Sequence, residues 1–196
     1  MIEGELRKIK EEVLNCKKCS LYKERVGNGF YPVIGEGNHQ AKIMFVGEAP
    51  GLQEAKTGRP FCGASGKILD DLLESVGIKR EEVYIANLLK CRPPENRDPQ
   101  PEEIKTCSSY LERQIKIIKP KVICLLGRYS MEFLMEKFGI KDQREGISKI
   151  HGRLFENKNL FQSIAVIAFY HPAVAIYNPN MKEILVKDFK ILERFK

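Results

Sequence analysis

Four of the six cysteines fall at spacings that invite a shared ligand. Cys16 and Cys19 make a CxxC knuckle, while Cys91 and Cys107 stand apart with fifteen residues between them. Brought together by folding, four thiolates suit either tetrahedral Zn²⁺ or an iron–sulfur cluster. A zinc ribbon usually presents two CxxC knuckles, so the split second pair weakens that option. A chance CxxC plus two core cysteines is the plain alternative. Cys62 and Cys124 have small or apolar neighbours and read as buried small hydrophobes.

Other reactive types are sparse. His171 is one of three histidines, beside His39 and His151, and stands just past an apolar run and before Pro172. An imidazole held there can donate a hydrogen bond to an anion forming on a substrate; an ordinary loop histidine is the alternative. Asn87 ends another apolar run, where its amide needs a partner. Its paired donor and acceptor could read a planar base edge, although satisfying backbone is the commoner use. Five glycines, at 47, 51, 58, 63 and 66, let the backbone of one segment approach a ligand closely. That segment lacks GxxxxGK[ST] and GxGxxG, so neither a triphosphate cradle nor a dinucleotide fingerprint is supported. Phe61, between Pro60 and Cys62, offers either a stacking platform or local packing.

These residues need elements to hold them. Four apolar, β-branched runs read as strands: 42–47, 83–88, 121–126 and 164–170. None shows polar alternation, the mark of strands buried on both faces of a parallel sheet. Helical spacing lies between them. Leu6, Ile9 and Val13 share a face ahead of the CxxC. Ile68, Leu69, Leu72, Leu73 and Val76 follow Ser65 and stop at Gly77. Pro101, Glu102 and Glu103 open a helix carrying Ile104, Cys107, Leu111, Ile115 and Ile118. Two further patterns cover 129–138 and, with Ile184, Leu185, Phe189 and Leu192, the end of the chain. The expected fold class is α/β: three layers, α/β/α, around a central, mostly parallel four-stranded sheet. In such sheets ligands bind beyond the carboxyl ends of the strands. Glu48, Asn87 and His171 all follow or end a strand, so a carboxylate, an amide and an imidazole converge on one rim.

Composition narrows the class of partner. A chain of 196 residues suits one domain, 1–196, and buries roughly 70% of its unfolded surface without disulfide staples. Lys+Arg 33 against Asp+Glu 26 leaves +7, a surplus that favours a polyanion. The charged N-terminus has no apolar core like that of a secretory signal, and the longest apolar stretch, IAVIAFY, is far short of a membrane span. A cytoplasmic protein with no membrane partner is expected, and in that reducing compartment clustered thiols bind metal or do chemistry.

In order along the chain stand a CxxC, then GEAPG from Gly47, TGRPFCG from Thr57, N-x-x-K-C-R-P-P-x-N-R from Asn87, and Y-H-P-A from Tyr170. Together these motifs resemble the family 4 uracil-DNA glycosylases, iron–sulfur enzymes typical of heat-loving prokaryotes, from about Cys16 to Pro179. The resemblance implies a uracil-DNA glycosylase fold and monofunctional hydrolysis of deoxyuridine in DNA, the opening step of base excision repair. It implies that Cys16, Cys19, Cys91 and Cys107 ligate a [4Fe–4S] cluster, to which the N-terminal CxxC segment contributes. Phe61 would stack on a flipped-out uracil, Asn87 would bond its Watson–Crick edge, and His171 would stabilise charge on the departing base. Glu48 matches the motif carboxylate after the first strand, Glu54 one that blocks a thymine methyl group, and Asn96 a further position near the DNA or the catalytic loop. The implied partner is single- or double-stranded uracil-containing DNA, bound by a monomer, with a sliding clamp left open.

Two departures matter. Ala49 stands in the substrate site where better-known uracil glycosylases carry a water-orienting Asp, a substitution normal for family 4, so the water activator is unassigned and Glu48 is the nearest carboxylate. The run Ala173–Tyr177 replaces the more usual Leu-Leu-Arg, which makes Ile176 or Tyr177 the side chain to fill the vacated base position. Two rivals remain. A zinc-holding nucleic-acid-binding module would be colourless, and an α/β enzyme for small nucleotides would ignore a uracil-containing oligonucleotide.

Overall fold

A computed structural model describes residues 2–140, 145–156 and 164–196. Its strands are β1 (Glu36–Gly37), β2 (Ile43–Gly47), β3 (Tyr84–Asn87), β4 (Val122–Leu126), β5 (Leu154–Glu156) and β6 (Ala165–Phe169). They form one sheet in the order β1-β3-β2-β4-β6-β5. The four apolar runs are its parallel centre, β3-β2-β4-β6. The sheet thus has six strands where four were expected. β1 and β5 pair antiparallel at the two edges, and at two and three residues they are too short to show a hydrophobic period.

Central strands lack polar alternation because both faces are covered. Ile43 and Phe45 of β2 pack with the buried Leu69, Leu72 and Leu73 of α4 (Ala64–Ser75) and with Leu185 and Phe189 of α9 (Met181–Phe189). Met44 and Val46, pointing the other way, pack with α1 (Ile2–Leu14) through Leu6, Ile9 and Val13. The same layer holds Leu111 and Ile115 of α5 (Pro101–Ile118) and Met131 and Leu134 of α6 (Arg128–Lys137). Helix, sheet and helix make the three layers. Among the described residues no helix is long and apolar enough to cross a membrane.

Strand order decides where ligands go. From β2 the chain crosses to β3 on one side, then returns to place β4 on the other, so the crevice beyond the carboxyl ends of β2 and β4 is a topological switch point. Short helices cluster there: α3 (Leu52–Thr57) after β2 and α8 (Val174–Tyr177) after β6. Each follows a turn rich in Gly or Pro, and their brevity hides them from periodicity. Two more, α2 (Leu21–Gly27) after the CxxC and α7 (Ile147–Ile150) before β5, escaped the sequence for the same reason.

Candidate functional site

The rim assembles around Gly47, the last residue of β2. Parallel register sets Gly47 beside Asn87 at the end of β3. A Cβ on Gly47 would collide with Asn87 Oδ1 and come within 2.8 Å of the Phe61 ring. The Phe61 and His171 rings are stacked, 5.6 Å between centroids and 29° between planes. Gly127, at φ +93° after β4, lets His171 lie close, since a Cβ there would be 3.3 Å from the His171 Cβ. Residues from four sequence motifs therefore share one slot, and glycine supplies the room.

Each side chain in it has a defined chemical state. Asn87 is 2% exposed, and its Oδ1 is buried without a hydrogen-bond partner. An orphaned buried acceptor is costly, which suits a site waiting for a donor. His171 Nδ1 accepts the Ala173 N–H at 3.2 Å, so the neutral ring carries its proton on Nε2. Burial pushes its pKa down to about 4, with the Glu54 carboxylate opposing weakly. Phe61 is buried and held at φ +47°, a left-handed backbone that costs an L residue about 1–2 kcal/mol.

The strain is carried by the loop's own bracing. Glu54 on α3 accepts the Cys62 and Gly63 N–H groups on one oxygen, both at 2.9 Å. Its other oxygen lies against Gly51. Arg80 Nη2 donates to Pro60 O at 2.7 Å. Gly66 in α4 packs on the Phe61 carbonyl with no space for a side chain. Cys62 is not the buried hydrophobe expected; it is half-buried in this loop, its Sγ 3.2 Å from Thr57 Oγ1. Cys124 is fully buried in β4, as expected.

The other candidates lie to one side of the slot. Ala49 is half-buried against the core. Glu48 is half-buried too, and its pKa is raised, by burial first and then by the Asp98 carboxylate, with Arg128 opposing. Asp98 is itself held by Tyr129 OH at 2.6 Å and Arg128 Nη2 at 3.4 Å. Asn96 is exposed, at φ +56°, with Oδ1 accepting Arg92 Nε at 2.8 Å. Its contacts link it to Arg92 and not to Phe61, Asn87 or His171. Two open clefts lie elsewhere. One of about 830 Å³ runs between α5 and α6, and one of about 330 Å³ opens at the amino ends of β2 and β3. Converging polar groups, not volume, mark the slot.

A second constellation stands behind β3. Cys16, Cys19, Cys91 and Cys107 line one pocket of about 20 Å³, together with Val13, Leu21, Tyr110 and Lys90. The sulfurs surround it without drawing three ligands onto one point, and among the described residues no His, Cys, Asp or Glu group does so. Burial pushes the Cys91 thiol up to about 12 and Cys107 up to about 11. Four thiols gathered in a buried pocket fit a thiolate-bound centre, whose binding would displace their protons. The segments are tied together independently of it. Glu103, buried at the start of α5, receives both Arg97 Nη atoms, at 3.0 and 2.6 Å, the Gln100 N–H at 2.9 Å and the Ser20 hydroxyl at 3.4 Å.

Several supporting residues gave little sequence signal. Gly47 was visible only as one of five glycines. Lys90 was hidden inside a motif, although a lysine directly after Leu88-Leu89 is a hint of a buried cation.

Fold and rim together set a buried polar slot at the switch point of a doubly wound sheet. The family model for the uracil DNA glycosylase superfamily matches residues 34–192, and the chain belongs to that superfamily. Within it, the chain is 50% identical to the type-4 uracil-DNA glycosylase of Sulfurisphaera tokodaii, over 94% of this chain and 82% of that one. It is 45% identical to the type-4 uracil-DNA glycosylase of Archaeoglobus fulgidus, over 93% and 88%. Against the type-4 uracil-DNA glycosylase of Thermotoga maritima it is 38% identical, over 95% and 92%.

Proposed function

We propose that the chain is a type-4 uracil-DNA glycosylase, a monofunctional hydrolase that releases uracil from DNA and leaves an abasic site. The observation that carries this reading is the partnerless Asn87 Oδ1 beside the Phe61 face and the His171 imidazole. Uracil presents an imide N–H at its pairing edge, which that oxygen accepts. Cytosine presents a lone pair at the same position and is repelled.

The reaction follows from these groups. The base leaves the stack and seats its π-face on Phe61, worth about 1–3 kcal/mol. As the N-glycosidic bond breaks, the sugar gains positive charge and the uracil takes the bonding electrons. His171 Nε2–H donates to the uracil carbonyl oxygen on which charge builds, and the imidazole stays neutral because burial disfavours its cation. Water adds to C1′ and gives up a proton. Glu48, which follows Gly47 directly, would orient or accept from that water, and Asn96, bonded to Arg92, would belong to a loop near the DNA. Tyr177, 87% exposed, and Ile176 beside it stand on α8 just beyond His171 and would fill the gap left by the everted base. The net +7 charge favours the phosphate backbone.

Cys16, Cys19, Cys91 and Cys107 would hold a [4Fe–4S] cluster, which supplies a structural clip and no redox step in this hydrolysis. The gathering of all four thiols around one buried pocket supports a thiolate-bound centre there.

A uracil-containing oligonucleotide incubated with the protein and then treated with alkali tests the assignment. Scission is expected with the wild type, and a loss of about 10²–10³-fold in His171→Ala. Intact oligonucleotide with well-folded wild type would reject the reading.

A further inference from the structure

Two cations are buried beside the four-cysteine pocket, and among the described residues neither has a carboxylate to answer it. Lys90 is 1% exposed. Its ammonium donates to Asn87 O at 2.9 Å, Gln114 Oε1 at 2.8 Å and Ile34 O at 3.2 Å, all neutral acceptors. Arg25 is 6% exposed. Its guanidinium donates to the carbonyls of Val13, Leu14 and Cys16, at 3.3, 3.0 and 2.9 Å, and its Nε has no partner. Among the described residues neither cation has an Asp or Glu within ion-pair distance.

A buried charge without an opposite charge is strongly unfavourable, so each cation implies an anion. The pocket is where one would sit. Four thiolates outweigh the positive charge of either Zn²⁺ or an oxidised four-iron cluster, so the bound centre is anionic in both cases. Both cations are anchored to it through main chain. The Lys90 N–H donates to Cys107 Sγ at 3.2 Å, and Arg25 grips the carbonyl of Cys16.

Lys90 also reaches the other site. From the pocket wall its side chain runs to the carbonyl of Asn87, the residue that reads the base. Gln114 lies two turns beyond Cys107 on the buried face of α5. It closes the network by donating to Ile34 O at 2.9 Å and Tyr84 OH at 3.0 Å. We propose that Lys90 and Arg25 are the counter-cations of the thiolate-bound centre, and that Lys90 is thereby a positioning residue that fixes the end of β3 to the filled pocket. The proposal rests on the reading that these cysteines hold a metal centre.

The test uses full-length wild type, Lys90→Met, Arg25→Met and the charge-keeping Arg25→Lys. Iron, zinc and sulfide per chain are measured, metal release to a chelator is timed, and a coloured protein is titrated reductively. Each Met variant is expected to release metal about 10–100-fold faster than wild type, with Arg25→Lys restoring the hold. If iron is present, the midpoint should move to lower potential in both Met variants, because a cation favouring the added electron is gone. Lys90→Met should also slow uracil release per loaded site. Unchanged release and midpoint in both Met variants overturn the proposal. If Lys90→Met does not accumulate folded, Arg25→Met with its Lys rescue decides. Wild type purified without metal overturns the underlying reading, and the proposal with it, before any variant is compared.

Discussion

Single atoms decide the chemistry here. At Gly47 a methyl group would meet both Asn87 Oδ1 and the Phe61 ring, so Gly47→Ala is expected to abolish uracil release while leaving the fold intact. Uracil release at wild-type rate, with an unchanged circular-dichroism spectrum, would show that the slot is elsewhere. His171 makes a pH prediction. Its pKa is about 4 in the folded chain against 6.5 ordinarily. Between those values the unfolded chain binds a proton that the folded one refuses. Stability therefore falls as pH drops from 6.5 to about 4, and is unaffected by this group above 6.5. The melting temperature of His171→Gln should decline less steeply over that window than the wild type's; parallel curves would mean the ring is not held neutral by burial. The residue types at this rim were legible in the sequence. The proton on Nε2, the orphaned Oδ1 and the bare side of Gly47 were not, because each depends on a neighbour brought in from another strand or loop.

Loops and strand ends position those atoms. Glu54 adds an element-level contact to a residue-level expectation. Family resemblance casts it as a guard against the thymine methyl, and one oxygen of its carboxylate accepts the Cys62 and Gly63 N–H groups that shape the Phe61 turn. Hydrogen bonds to a charged group contribute about 1.5–3 kcal/mol, so Glu54→Ala should lower kcat/KM for uracil about tenfold or more. Excision of thymine opposite guanine by the same variant would support the guard role as well, and continued exclusion would leave Glu54 as a brace alone. The loop from Arg92 to Asp98 acts on Glu48. Asp98 raises the Glu48 pKa and Arg128 lowers it, so the acid limb of kcat/KM should move to lower pH in Asp98→Asn and to higher pH in Arg128→Gln. An acid limb fixed in both variants would remove Glu48 from the ionising role. The long helices and the four central strands were readable because their apolar spacing is sustained. β1, β5, α3 and α8 were not, since two to six residues carry no period and are held by what they pack against.

For the molecule as a whole, the cysteine pocket lies where the N-terminal helix pair meets the residues after β3 and the first turns of α5. α1 packs through Leu6, Ile9 and Val13 on the α5 layer, with Glu12 paired to Arg113, so it has an apolar seat of its own. α2, seven residues long, is seated through Leu21 and through Arg25, which caps the α1 carbonyls. If the proposed metal centre occupies that pocket, removing it should open the segment around Cys16 to Arg25 to protease while the sheet stays folded. Loss of the whole far-ultraviolet spectrum on metal removal would mean instead that the centre is required for the core. Net charge acts at the same scale: DNA binding should weaken steeply with salt, the slope falling by roughly 0.9 for each phosphate contact removed.

The sequence by itself determined the layered architecture, the parallel centre of the sheet and the residue types offered at its carboxyl rim. Those are set by local periodicity and by which residues follow each apolar run, and both are written along the chain. Only the tertiary structure decided that Glu54 braces a strained turn, that Cys62 belongs to the site loop, and that Lys90 joins the cysteine pocket to Asn87. Such assignments depend on which polar atoms meet, from Thr57 and Cys62, five positions apart, to Lys90 and Cys107, seventeen apart. Hydrophobic pattern does not encode them, because it specifies which face of an element is buried and not which polar atoms meet there.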